Sequence, residues 1–123
     1  IGRKGATLHI PHYIEGNYWN VDTAFDTKVK NYRLKYFFYI ASILDYKAYI
    51  SATTLPSMTQ SNYENMQIPV PPLSEQQEIA DYLDAKCAEI DELIKVKQEK
   101  IETLKQYRQS LIFEAVTGKI TIA

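Results

Sequence analysis

A single cysteine, Cys87, stands in 123 residues, so the chain can close no disulfide on itself and build no multi-cysteine zinc site. No apolar run approaches the roughly 20 residues that span a bilayer, and no basic stretch followed by an apolar one opens the sequence. A soluble, cytoplasmic protein without membrane contact is expected. There is no Walker-type glycine-lysine loop, no glycine-x-glycine cofactor loop and no asparagine-proline-proline-aromatic tetrapeptide. His9 and His12 fall on an expected strand, where a spacing of three sends them to opposite faces rather than to one shared ligand. No catalytic group, no metal site and no cofactor are expected, and the chain is a reader or a scaffold rather than an enzyme.

The net charge of −1 hides an asymmetry. Residues 1–73 hold seven Lys and Arg against five Asp and Glu, whereas residues 74–123 hold seven against ten. The second part is therefore no phosphate binder. A surplus of two cations in the first is small for a domain that grips DNA alone, because sequence-independent affinity comes mainly from neutralised phosphates. A DNA reader of this composition would need help from a partner protein.

What the sequence does have is one long helical pattern, from Ser74 to Gly118. It would make roughly 42 helical residues, about 63 Å in length. Pro69, Pro71 and Pro72 keep helix from forming upstream, Ser74 with Gln77 makes a capping box, and Gly118 suits the left-handed position after the last turn. Apolar residues recur at heptad spacing through Leu83, Ile90, Ile94, Ile101, Leu104 and Leu111, a seam for pairing with a second helix. Ile79, Leu93, Tyr107 and Ile112 widen that stripe, while Lys97 and Arg108 interrupt it, as polar seam residues that fix register do. Too little chain remains to bury such a stripe, so the isolated chain is expected to form a homodimer through this helix.

Residues 1–73 predict a small α+β domain. Gly2-Arg3-Lys4-Gly5 reads as a basic loop interior to a longer chain, so the sequence is expected to be a fragment lacking the start of its domain. Ala6 to Ile14 and Tyr18 to Val29 follow as strands around a Glu15-Gly16-Asn17 turn, with Trp19, Val21, Thr23 and Phe25 alternating onto the core face. Tyr32 to Tyr46 is a buried helix, with Tyr36 and Tyr39 at the core edge. Ala48 to Leu55 and Gln67 to Pro71 are expected strands, and Ser61 is expected to cap a short helical turn between them.

These residues carry a family resemblance. Ile68-Pro69-Val70-Pro71-Pro72-Leu73-Ser74-Glu75-Gln76-Gln77-Glu78-Ile79, Ile90-Asp91-Glu92-Leu93-Ile94, Tyr107-Arg108-Gln109-Ser110-Leu111-Ile112 and Glu114-Ala115-Val116-Thr117-Gly118-Lys119-Ile120 resemble the helical region of the DNA-specificity subunit of type I restriction-modification systems. The basic loop followed by Trp19-Asn20-Val21-Asp22-Thr23 resembles a looser pattern inside that family's target recognition domains. In the family a subunit carries two such domains, each followed by a helix, and the two helices pair antiparallel as a spacer. This chain resembles the C-terminal half of such a subunit, or a half-length one.

The resemblance implies a partial target recognition domain over 1–73, a long coiled-coil spacer and dimerisation helix over 74–118, and a tail over 119–123. It implies that the domain reads one half of a bipartite double-stranded DNA target, while methyltransferase and restriction subunits, the latter engaged indirectly, do the chemistry. By residue type and expected exposure, Arg3 and Lys4 suit phosphates, and His12, Tyr13, Asn17, Asn20, Gln60 and Asn62 suit bases or sugars. The alternative is a coiled-coil dimerisation scaffold whose small domain binds protein, which the near-neutral charge favours.

Overall fold

The computed structural model describes residues 1–5, 8–50 and 55–121. Its elements run α1 (Leu34–Ile43), a 3-10 turn (Tyr46–Ala48), α2 (Gln60–Glu64) and α3 (Leu73–Val116). They fall into two compact units, Ile1–Tyr82 and the stretch from Leu83 onward. The long C-terminal helix is present. The β half of the expected α+β domain is reduced, among the described residues, to two isolated antiparallel bridges, Gly2 with Ala24 and Lys4 with Ser57.

Local chemistry explains why the expected strands do not extend. The Ala24 N–H turns back to the Val21 carbonyl (3.1 Å), and the Asn20 side-chain amide donates to the Ala24 carbonyl (3.3 Å), so this stretch closes on itself. That turn also ends the alternation that would have placed Trp19 and Val21 in the core: Trp19 is 94% exposed and Val21 is exposed as well. The expected strand Gln67 to Pro71 is likewise diverted. Prolines there offer no N–H, the Pro69 carbonyl accepts from the Tyr36 hydroxyl (3.3 Å), and the Pro71 carbonyl accepts from Gln76 Nε2 (2.8 Å). Of the expected strand Ala48 to Leu55, residues 51–54 lie outside the described residues, and Ala48 closes the 3-10 turn.

The expected helix Tyr32 to Tyr46 is shorter, because Leu44 is already extended and Asp45 caps the next turn through the Lys47 N–H (3.0 Å). Its buried residues are Tyr36, Ile40 and Ala41, so Tyr36 is core rather than core edge, while Ile43 is 82% exposed. The short helix α2 is capped by Thr59, whose Oγ1 accepts from the Asn62 N–H (3.2 Å), and not by Ser61.

The core of the first unit is two clusters joined by Leu44. One gathers Leu8, Tyr46 and Met58; the other gathers Tyr36, Ile40 and Ala80, with Ile68 and Ile79 against it. The second cluster shows that the first turns of α3 are part of the unit. Helix α3 begins at Leu73, one residue before the expected cap, and Gln77 donates to Asp81 (2.8 Å) instead of forming a capping box. Gln76 takes the organising role. It is 1% exposed, its Oε1 accepts from the Arg33 N–H at the start of α1 (2.8 Å), and its Nε2 donates to Pro71. One side chain thus satisfies two backbone groups and ties α1 to α3. Gln76→Ala should leave both unpaired and lower stability by about 2–4 kcal/mol, read from urea unfolding. An unchanged midpoint would mean that water replaces the amide at no cost.

At its far end α3 stops as expected. Gly118 adopts φ +71°, where a Cβ would be strained. Lys119 N–H bonds to the Glu114 carbonyl (2.9 Å) and Gly118 N–H to the Ala115 carbonyl (3.3 Å), the paired bonds of a Schellman motif. Among the described residues no helix is long and apolar enough to cross a membrane.

Candidate nucleic-acid interface

The basic loop is held from both sides by backbone. Arg3 and Lys4 N–H groups bond to the Thr23 carbonyl (2.7 and 3.2 Å), the Arg3 carbonyl accepts from Met58 N–H (3.0 Å), and Gly5 N–H reaches the Pro56 carbonyl (2.9 Å). Gly2 is required, since a Cβ there would stand 2.3 Å from Leu8 Cα. From below, the half-buried Tyr63 hydroxyl donates to the Gly2 carbonyl, and partial burial pushes that phenol up to about 12. It stays a neutral donor at any physiological pH. The loop is therefore fixed before any ligand arrives, which lowers the entropy cost of binding.

The Arg3 guanidinium lies 5.6 Å from the Phe25 ring centroid and spends one N–H on the Asp22 carbonyl (3.2 Å). Together with Lys4, Phe25, Thr59 and Gln60 it lines an open depression of about 260 Å3. On the other side of Lys4 runs a larger groove of about 360 Å3, whose polar lining includes His12, Tyr13 and Asn20 and whose apolar lining includes Ile10, Ile14, Trp19 and Leu34.

The structure thus brings Arg3, Lys4 and Gln60 together, and places Lys4, His12, Tyr13 and Asn20 along the groove. Asn17 is exposed and lines neither. Several candidates have structural employment. Asn62 is half-buried and donates to the Tyr49 carbonyl (2.8 Å), Asn20 braces its own turn, and Gln60 donates to Glu64 (2.8 Å). Tyr13 donates to Glu15 (2.7 Å) and packs on Phe38, with the Lys35 ammonium 5.3 Å from its ring centroid.

Trp19 was hidden by the alternation pattern, and nothing in its local sequence except the Asn20-Val21-Asp22 turn signals its exposure. His9 and His12 are exposed, and among the described residues no cluster of His, Cys, Asp and Glu could hold a metal ion. On α3 the seam candidates Ile90, Ile94, Ile101, Leu104 and Leu111 are all exposed in the single chain, Ile94 at 53% and Ile101 at 51%, and Leu83 is half-buried.

Comparison with known proteins matches residues 7–103 to the type I restriction modification DNA specificity domain. Over 72 residues, 58% of this chain, it is 36% identical to the type I restriction enzyme EcoBI specificity subunit of Escherichia coli. Over 72 residues it is 35% identical to the EcoKI specificity subunit of Escherichia coli K12, and over 74 residues 32% identical to the StySPI specificity subunit of Salmonella potsdam. The chain spans only 15–16% of the length of these relatives. No solved structure matches it.

Proposed function

Since the chain belongs to the type I restriction modification DNA specificity domain family, we propose that it is a non-catalytic DNA-specificity module of a restriction-modification complex. Its first unit reads one half of a bipartite target as part of a target recognition domain. Its long helix serves as spacer and pairing arm, docks methyltransferase subunits, and through them engages the restriction subunit. On its own the chain pairs with a second copy through the helix seam.

The observation that carries the DNA reading is the assembly of Arg3, Lys4 and Gln60 at one open depression by segments far apart in sequence. Two cations beside an amide match the division of labour at DNA interfaces, in which charge grips phosphates and planar amides read base edges. The loop that carries the cations is fixed by backbone bonds, so its geometry needs no induced ordering.

Salt dependence tests this. Each phosphate contact contributes roughly −0.9 to the slope of log affinity against log salt. The lone chain should bind duplex DNA weakly with a shallow slope, and added methyltransferase should tighten binding and steepen it. In the assembled complex, Arg3→Ala with Lys4→Ala should flatten the slope by about 1.8 and weaken cognate and non-cognate duplexes alike. Gln60→Ala should instead erode discrimination. Parental affinity on every duplex after the double change would remove the loop from the interface.

Besides the near-neutral charge, a scaffold reading has one structural observation in its favour, the exposed Trp19 that lines an apolar groove. It predicts no salt-dependent DNA binding with or without methyltransferase, so the same titration separates the two.

A further inference from the structure

The basic loop is fixed in its backbone, and its arginine is held through the side chain as well. A column of aromatic rings runs from the core to the Arg3 guanidinium. The buried Tyr46 meets Tyr63 edge to face with ring centroids 6.1 Å apart, and Tyr63 meets Phe25 in the same manner at 6.1 Å and an interplanar angle of 87°. The guanidinium carbon of Arg3 then lies 5.6 Å from the Phe25 centroid. Tyr63 also donates to the Gly2 carbonyl, so the middle ring holds the backbone beside the residue whose side chain the outer ring holds.

The Asp22 carbonyl takes one N–H of the guanidinium (3.2 Å). A carboxylate in that place would hold the arginine and cancel its charge. A ring face and a peptide carbonyl hold it and leave the full positive charge, with the other N–H groups still to be given to an anion. Among the described residues no carboxylate pairs with Arg3. Phe25 lines the same open depression as Arg3 and Lys4, and among the described residues no ring lies against the Lys4 ammonium.

We propose that Phe25, backed by Tyr63, is a positioning residue: it presents the Arg3 guanidinium in one orientation to a phosphate of duplex DNA, while Lys4 contributes charge alone. This rests on the reading of the basic loop as a phosphate contact. A guanidinium can set two parallel N–H groups against two phosphate oxygens, an arrangement that depends on orientation, whereas an ammonium acts as a point charge. Holding the fork before DNA arrives removes the cost of ordering a long side chain from the binding step. A ring that merely filled space at the rim of the core would serve the fold and not the contact, and it would matter equally with or without an arginine at position 3.

The test is a mutant cycle in the full chain assembled with methyltransferase subunits, with a fluorescein-labelled duplex of mixed sequence titrated at several salt concentrations. Arg3→Ala should weaken binding and flatten the slope of log affinity against log salt by about 0.9. Phe25→Leu keeps the charge and an apolar side chain but removes the ring, and it should weaken binding by about 2–10-fold with little change of slope. Arg3→Lys should do the same, since its charge stays and its fork is gone. Phe25→Tyr keeps a ring face and should restore binding. In the Arg3→Ala background, Phe25→Leu should cost nothing further. An equal loss there would make Phe25 a packing residue and overturn the proposal, as would parental affinity of Phe25→Leu or of Arg3→Lys. Parental affinity of Arg3→Ala instead removes the loop from the interface, and the premise with it. Should Phe25→Leu lower the unfolding midpoint, Phe25→Met carries the same cycle, and the Arg3→Lys outcome stands without either.

Discussion

A chain carrying Ile94→Asp and Ile101→Asp should sediment as a monomer at micromolar concentration, where the parent sediments as a dimer. Both isoleucines are about half exposed in the single chain, so each has surface left to bury against a partner. Full burial of such a side chain is worth roughly 1.5–3 kcal/mol. About half of that remains to be gained at each, so the four side chains of two copies account for about 3–6 kcal/mol, and the cost of bringing four carboxylates into an apolar seam adds to it. A micromolar dimer holds only about 8 kcal/mol. The double change should therefore abolish pairing rather than weaken it. Because Gln76 and Ala80, which tie α3 to α1, lie well upstream of both positions, the fold of the first unit should survive, as near-ultraviolet circular dichroism from its tyrosines can check. An unchanged sedimenting mass would take these residues out of any seam.

What could be read from the sequence was what depends on near neighbours. The prolines before α3, its heptads and the Gly118 stop are local, since the bonds that make the stop join Glu114, Ala115, Gly118 and Lys119 within a single turn. The basic loop was legible as a composition, and its rigidity was not, because Thr23, Pro56, Met58 and Tyr63 supply the holding bonds from distant segments. Gln76 shows the same divide more sharply. Its neighbours suggested a capping box built on Ser74 and Gln77, but the helix already starts at Leu73, with the Gln76 N–H on the Pro72 carbonyl, and a partner 43 residues away, the Arg33 N–H, claims the Gln76 side chain. Trp19 failed for the opposite reason: period-two alternation predicts a face only where a ladder keeps the strand extended, and the Asn20 side chain closes a turn first. Both misreadings belong to polar side chains that compete for backbone groups.

The packing of α3 against α1 also sets where a transferable reading unit should end. Grafting residues 1–82 into a full-length specificity subunit, in place of the equivalent segment of one recognition domain, should change the half-site that is methylated to the one this chain reads. A graft ending at residue 73 should fail unless the recipient restores the same contacts. It leaves behind Gln76, whose amide satisfies Arg33 and Pro71, and Ile79 and Ala80, which complete the cluster around Tyr36 and Ile40. Losing the two hydrogen bonds alone costs about 2–4 kcal/mol, a large share of the 5–15 kcal/mol that holds a typical domain. Each hybrid is assembled with methyltransferase subunits, its methylated sites are mapped across a genome, and its unfolding midpoint is recorded. A new half-site with the longer graft, and low stability with the shorter one, would locate recognition in the first unit and show that the opening turns of the helix belong to it. Retention of the recipient's half-site by a stable longer graft would place recognition outside residues 1–82, and equal stability of the two grafts would mean that α3 contributes only a spacer.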